Sequence, residues 1–118
     1  MYFRNLDELR ALQPMENKTW NKESLKEYLI QSCNCNFVEF VDLFMEKYKK
    51  DEILADLLFD FLLNDDYDGS DSQIGAAKYI AKMDREVLRN KKDLLLQAQK
   101  NEVYWKRPFR DEEFLEWL

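Results

Sequence analysis

The chain contains no histidine and only two glycines, two prolines and two cysteines among its 118 residues. Without histidine, the commonest general base is absent, and so are the Ser/His and Cys/His pairs that activate nucleophiles. Two isolated glycines cannot build a glycine-rich phosphate-binding loop, and they are too few for a turn-rich β-sandwich. We therefore expect a helical protein that is not an enzyme and needs no cofactor.

Long apolar runs are also missing. No window approaches the roughly 20 apolar residues of a membrane-spanning helix, and the opening stretch MYFRNLDELRALQP has no apolar run of signal-peptide length. The net charge of −6 and the pI of 4.8 disfavour binding to nucleic acid or to anionic membranes. We expect a cytoplasmic chain with a basic protein partner.

The two cysteines, Cys33 and Cys35, are separated by one residue. This spacing is too short for an unstrained disulfide and is not that of a redox pair, so we expect free thiols. Two thiols without histidine cannot supply the four ligands of a zinc site, and no metal site is predicted here.

The stretch 37–63 is the most apolar part of the chain and is expected to form the middle of the core. Its apolar residues recur at helical spacing on both sides of Lys49-Lys50-Asp51. They are Phe37, Phe40, Val41, Phe44, Met45 and Tyr48, then Ile53, Leu54, Leu57, Leu58, Phe61 and Leu62. A short polar link between two such helices predicts an antiparallel pair.

The same reading predicts an all-α fold with a single domain over residues 1–118, about seven helices and no strand. The helices are expected at about Leu6–Leu12, Lys22–Cys33, Asn36–Tyr48, Glu52–Leu63, Asp71–Met83, Arg85–Lys100 and Glu112–Leu118. Their expected N-caps are Asn5, Asn36, Asp51, Ser70, Asp84 and Asp111. Met15–Asn21 is expected to be a linker whose Trp20 folds back onto the core. Helices three with four and five with six form two consecutive hairpins, for which HEAT-like stacking is one option.

Charge is distributed unevenly along the chain. Residues 51–71 contain eight acids and no lysine or arginine, whereas residues 72–110 contain ten bases and four acids. Seven of these acids are the candidate partner-binding residues: Glu52, Asp56, Asp60, Asp65, Asp66, Asp68 and Asp71. If the fold leaves them without cations, they form a docking surface for a basic protein. The alternative is a solvated face that is neutralised by lysines from elsewhere in the fold.

Two other segments have weaker functional patterns. Asn64-x-Asp66-x-Asp68-Gly69 is similar to the start of an EF-hand calcium loop, but Gly75 stands where the bidentate glutamate belongs. Tyr104-Trp105-Lys106-Arg107-Pro108-Phe109-Arg110 mixes aromatic rings with bases, as single-stranded nucleic-acid binders do. Acids follow it at once, so we expect its rings to clamp the last helix to the core.

The C-terminal third of the chain resembles one helical group of immunity proteins from bacterial contact-dependent growth inhibition and related polymorphic toxin systems. The resemblance is carried by Ile74–Ala81, Trp105–Phe109 and Phe114–Leu118, together with the small, acidic, helical character of the chain. It implies a protein that seals or distorts the active site of one cognate toxin domain, often a basic nuclease. It implies no catalytic residue. The alternative function is that of a helical adaptor or scaffold module that binds a host protein.

Overall fold

The periodic apolar segments form α-helices, and the protein is all-α as predicted. The computed structural model describes residues 6–64 and 71–109, and these contain seven α-helices, a 3-10 helix and one short β-hairpin. The helices are α1 Leu6–Arg10, α2 Lys22–Gln31, α3 Val38–Lys47, α4 Glu52–Leu63, α5 Asp71–Ile80, α6 Arg85–Arg89 and α7 Lys92–Gln99. The 3-10 helix covers Tyr104–Lys106. The radius of gyration is 13.7 Å, close to the ~13.5 Å expected of one compact domain of this length.

The linker after α1 contains a two-stranded hairpin that the apolar pattern did not predict. Strand β1, Met15–Glu16, pairs antiparallel with β2, Thr19–Trp20. The two turn residues, Asn17 and Lys18, both have left-handed backbone angles, with φ of 52° and 64°. Two successive left-handed residues are typical of the type I′ turn, whose twist matches that of paired strands.

The prediction that Trp20 folds back onto the core is confirmed. Its ring makes edge contacts with Phe44 and Tyr48, at centroid distances of 6.1 and 5.0 Å. Its indole nitrogen donates to the carboxylate of Asp51 at 3.3 Å. The hairpin is thereby fixed at the N-terminal end of α4.

Helix α4 lies at the centre of the core, and α5 packs against both α4 and α2. Six of the twelve residues of α4 are buried. Helix α5 can approach closely because its sequence is rich in small residues, as predicted. At Gly75, a Cβ atom would lie 2.5 Å from the carbonyl oxygen of Leu29 on α2, which is far inside van der Waals contact.

Helix α3 lies at the edge of the core, which corrects the prediction that α3 and α4 together form its middle. Within α3 only Val41 and Met45 are buried. Bulky rings occupy the inner side of α3: Phe44 packs edge-on against Tyr28 of α2, with centroids 5.0 Å apart. Such rings hold two backbones apart, whereas the small residues of α5 allow close packing. Within the described residues, α4 packs more extensively against α5 than against α3.

Two of the predicted N-caps are confirmed and one is wrong. Asp51 accepts a hydrogen bond from the backbone N–H of Leu54, and Asp84 accepts one from that of Glu86. Asn36 does not cap α3: the N-cap position is held by Phe37, and the N–H of Asn36 donates to the side chain of Asn34. Helix α3 begins after Phe37 without a side-chain cap. The predicted caps at Asn5, Ser70 and Asp111 lie outside the described residues.

The single helix predicted over 85–100 is divided into α6 and α7. The break lies at Asn90-Lys91, where Asn90 has a helical backbone and Lys91 does not. Asparagine competes with the backbone for hydrogen bonds and is a weak helix former. Here the side chains of both residues bind acids on α4, as described below. The predicted last helix, 112–118, lies outside the described residues.

Candidate functional site

The three candidate acids of α4 lie on one exposed face, as their spacing requires, but the fold supplies partners for all three. The side-chain amide of Asn90 donates to Glu52 at 3.0 Å. The ammonium of Lys91 lies 2.7 Å from the carboxylate of Asp56. Lys22, at the start of α2, forms an ion pair with Asp60. The expectation that these acids are left without cations is therefore wrong at Asp56 and Asp60.

The physical reason lies in tertiary packing. Lys22 is 38 residues from Asp60 along the chain, and Lys91 is 35 residues from Asp56, so no local pattern links the pairs. The carboxylates stay accessible, with the Asp56 side chain 59% exposed and that of Asp60 44% exposed. Ion pairs this exposed add only about 0–1 kcal/mol to stability, but their two ammonium groups offset the charges of Asp56 and Asp60.

The other candidate acids belong to the connection between α4 and α5. Asp71 is the first residue of α5 and is exposed. Asp65, Asp66 and Asp68 lie outside the described residues, as does most of the calcium-like segment. In the part of the chain that is described, no group of three Cys, Asp or Glu side chains could hold a metal ion.

The net charge of the molecule is concentrated in two segments. Residues 6–64 and 71–109 together hold 17 acids and 16 bases, so they contribute only −1 to the total of −6. Residues 65–70 contribute −3 from three acids, and residues 110–118 contribute −3 from four acids and one base. The described body is therefore almost neutral.

These two segments join the described body at the same end of the molecule. Lys91, just before α7, pairs with Asp56 in the first half of α4. Gln97, near the end of α7, lines one depression together with Asn64, at the end of α4. The two helices therefore run side by side in the same direction. Just beyond Gln97, the side chain of Gln99 exchanges two 3.0 Å hydrogen bonds with the backbone of Phe109. Segment 65–70 begins after Asn64 and segment 110–118 begins after Phe109.

Both cysteines are free, as predicted, and both are exposed. Burial of part of the Cys33 side chain and the nearby charge of Asp71 raise the pKa of this thiol. Reactive thiols have a depressed pKa, so Cys33 lacks the environment of a nucleophile or redox centre.

A groove between α3, the start of α4 and the C-terminal part of α5 was missed by the sequence analysis. Its volume is about 260 Å³. The apolar residues that line it are Leu43, Met45, Leu54, Tyr79 and Met83. The charged residues at its edge are Glu39, Asp42, Glu46, Lys49 and Lys82. Leu43 was the available signal, since it is an apolar residue on the charged face of α3, and 65% of it is exposed.

Hydrogen bonds and ion pairs to the Asp42 carboxylate hold one side of this groove in place. The phenol of Tyr79 donates to the Asp42 carboxylate at 2.7 Å, and the ammonium of Lys78 lies 2.9 Å from it. Burial by itself raises the pKa of Asp42, but the hydrogen bonds from Tyr79 and Lys78 and the charges of Lys78 and Lys82 outweigh it, so this pKa is lowered. Burial, together with the bond to Asp42, raises the pKa of Tyr79.

No protein-family model, curated protein or solved structure matches this chain. The resemblance to immunity proteins accordingly stays a prediction. Among the described residues, no helix combines the length and apolar character that crossing a membrane requires.

Proposed function

We propose that this protein acts by binding another protein, and that its partner is a basic toxin domain, a nuclease, which it neutralises as an immunity protein does. The proposal is carried by the separation of charge: a nearly neutral helical body with two acid-rich segments that begin at one end. The acid face of α4 contributes less to this charge separation than its sequence predicts, because Lys22 and Lys91 already form ion pairs with two of its acids.

The mechanism of neutralisation follows from electrostatics. A nuclease active site is basic because it binds phosphates, and the carboxylates of a binding protein can take the place of those phosphates. Complementary charge of this kind raises the association rate and orients the partner more than it adds affinity. We assign the leading role to Asp65, Asp66, Asp68 and Asp71, with Glu52, Asp56 and Asp60 as further accessible acids on the exposed face of α4.

The test begins with capture of the tightest partner from native cells by the full chain. The captured domain is then expressed alone and together with this chain. If the proposal holds, the domain arrests growth when expressed alone and co-expression restores growth. A captured partner that is harmless when expressed alone contradicts the toxin assignment and favours the adaptor function.

The electrostatic part is tested by reversing three charges, Asp65→Lys, Asp66→Lys and Asp68→Lys. We expect association with the captured domain, followed by stopped-flow fluorescence, to slow at least about tenfold at low salt, and the difference to shrink at high salt. The control reverses three exposed acids that are not assigned to this surface, Glu16→Lys, Glu86→Lys and Asp93→Lys, with the same change in net charge. Equal slowing of both variants would show that only net charge matters and would remove the assigned surface.

A further inference from the structure

The groove beside α3 is a second surface, separate from the acids of α4. Leu54, which forms part of its floor, lies about 160° around α4 from both Glu52 and Asp56 at 3.6 residues per turn. The groove is thus on the other side of α4 from the face where Lys22 and Lys91 bind. An inference about it stands independently of the proposed function.

Its floor is apolar and firmly packed, while its edge is open. Met45, Leu54, Tyr79 and Met83 are all buried, with at most 4% of each exposed. Leu43 stands beside them and is 65% exposed, more than any other large apolar residue among those described. A protein leaves such an apolar side chain in water at a cost of about 1.5–3 kcal/mol relative to burying it.

The size of the groove indicates what it can accept. At about 260 Å³ it is smaller than the roughly 300–1,000 Å³ of small-molecule sites. It has room for one large apolar side chain, such as an aromatic ring or a leucine. Protein interfaces commonly place one such anchor in a well-packed pocket.

The wall of the groove is ordered before any partner arrives. Tyr79 and Lys78 hold Asp42 in place, and Lys49 pairs with Glu46 at 2.7 Å. A pocket whose walls are already fixed loses little conformational entropy on binding, which favours affinity.

The charges at the edge select the partner. Asp42 and Glu46 have lysine partners from this chain. Glu39 is exposed one turn before Leu43, and it makes no ion pair with any residue in the described ranges. Asp42 has both Lys78 and Lys82, and Glu46 has Lys49, so Glu39 is the acid at this edge that lacks an ion pair within the described ranges. The group complementary to Glu39 is a lysine or arginine.

We propose that this groove binds a polypeptide partner that inserts one large apolar side chain between Leu43 and Met83 and places a lysine or arginine against Glu39. The apolar contact supplies most of the affinity. The ion pair sets the direction in which the segment lies along α3.

The test is selection of peptides from a random twelve-residue display library on the full chain. We expect enriched peptides to carry an aromatic or long aliphatic residue within a few positions of a lysine or arginine. Leu43→Arg is expected to weaken binding of a synthetic selected peptide at least tenfold, and Glu39→Lys several-fold at low salt, both measured by fluorescence anisotropy. Because both side chains are exposed, the folded state is expected to survive, which thermal unfolding checks.

The matched controls are Ile53→Arg, which changes an apolar residue that is 61% exposed and does not line the groove, and Glu23→Lys. Both are expected to bind the peptide with an affinity within twofold of that of the original chain.

The proposal would be overturned by failure to enrich any peptide, by enrichment of peptides without bases, or by binding that survives Leu43→Arg. Self-association of the chain that Leu43→Arg abolishes would also overturn it, since the occupant would then be a second copy. The triple reversal at Asp65, Asp66 and Asp68 is expected to leave peptide binding unchanged, which separates this proposal from the proposed function.

Discussion

Helices α3 and α4 have similar apolar patterns but opposite positions in the fold. Helix α4 buries half of its residues, and all three acids on its outer face have partners from α2 or from the α6–α7 junction. Helix α3 buries two residues, exposes Leu43 and leaves Glu39 without an ion pair among the residues described. The difference shows that amphipathicity decides that a helix forms, whereas its neighbours decide how much surface remains for a partner.

The largest expected effect is the loss of stability when one phenylalanine of each helix is replaced by alanine. Phe59 of α4 is 1% exposed, while Phe44 of α3 is only partly buried. We expect Phe59→Ala to lower the free energy of unfolding by about 3–5 kcal/mol, because it leaves a cavity in a packed core. Phe44→Ala is expected to cost about 2 kcal/mol through lost ring contacts. Urea unfolding measures both, and equal losses would refute the view that α3 is peripheral.

A smaller effect tests the close approach of α5 to α2. The Cβ atom of Gly75→Ala would lie 2.5 Å from the Leu29 carbonyl oxygen, so α5 and α2 must move apart. We expect a loss of about 1–3 kcal/mol from this overpacking, even though alanine favours a helix by about 1 kcal/mol.

The neighbouring Ile74→Ala serves as the control for this change. Ile74 is 38% exposed, so its truncation is expected to cost less than Gly75→Ala in the same urea measurement. If Gly75→Ala instead stabilises the protein, close approach of α5 to α2 is not what organises the core.

The smallest effect compares one acid from each helix. The hydrogen bonds and lysines around Asp42 lower its pKa, so its contribution to stability is present above its ordinary pKa of 3.8 and is lost as the pH falls through the lowered value. We expect Asp42→Asn to cost roughly 0.5–1 kcal/mol at neutral pH, reduced by solvent screening. The difference in the free energy of unfolding between this variant and the original chain should disappear as the pH falls below 3.8.

The counterpart on α4 is Asp56→Asn, which removes an ion pair with a carboxylate that is 59% exposed. It is expected to change stability by less than about 0.5 kcal/mol at neutral pH. Urea unfolding between neutral and acid pH gives both comparisons. A constant gap for Asp42→Asn across this range would show that the carboxylate charge is not what stabilises the groove wall.

Features that depend on adjacent residues could be read from the sequence. The bounds of α4, the caps at Asp51 and Asp84 and the close approach at Gly75 all follow from residue types a few positions apart. The hairpin at Met15–Trp20 was missed because its turn, Asn17-Lys18, lacks the usual glycine. The break at Asn90 was missed because its partner, Glu52, is 38 residues away.

The candidate site divides in the same way. Sequence identified which residues carry negative charge and which helix faces they share. It gave no indication that Lys22 and Lys91 reach the α4 acids, or that Leu43 stands beside Met83 and Tyr79 in a groove. Those outcomes depend on contacts between residues more than 30 positions apart, and a single sequence does not indicate which distant residues will meet.

The sequence by itself determined that this protein is helical and acidic, because helix formation and net charge are sums over local residues. Only the tertiary structure decided which of its helices is central, which of its acids are neutralised and where an apolar groove stays open. Burial and ion pairing depend on which surfaces meet, and that is a property of the packed chain as a whole.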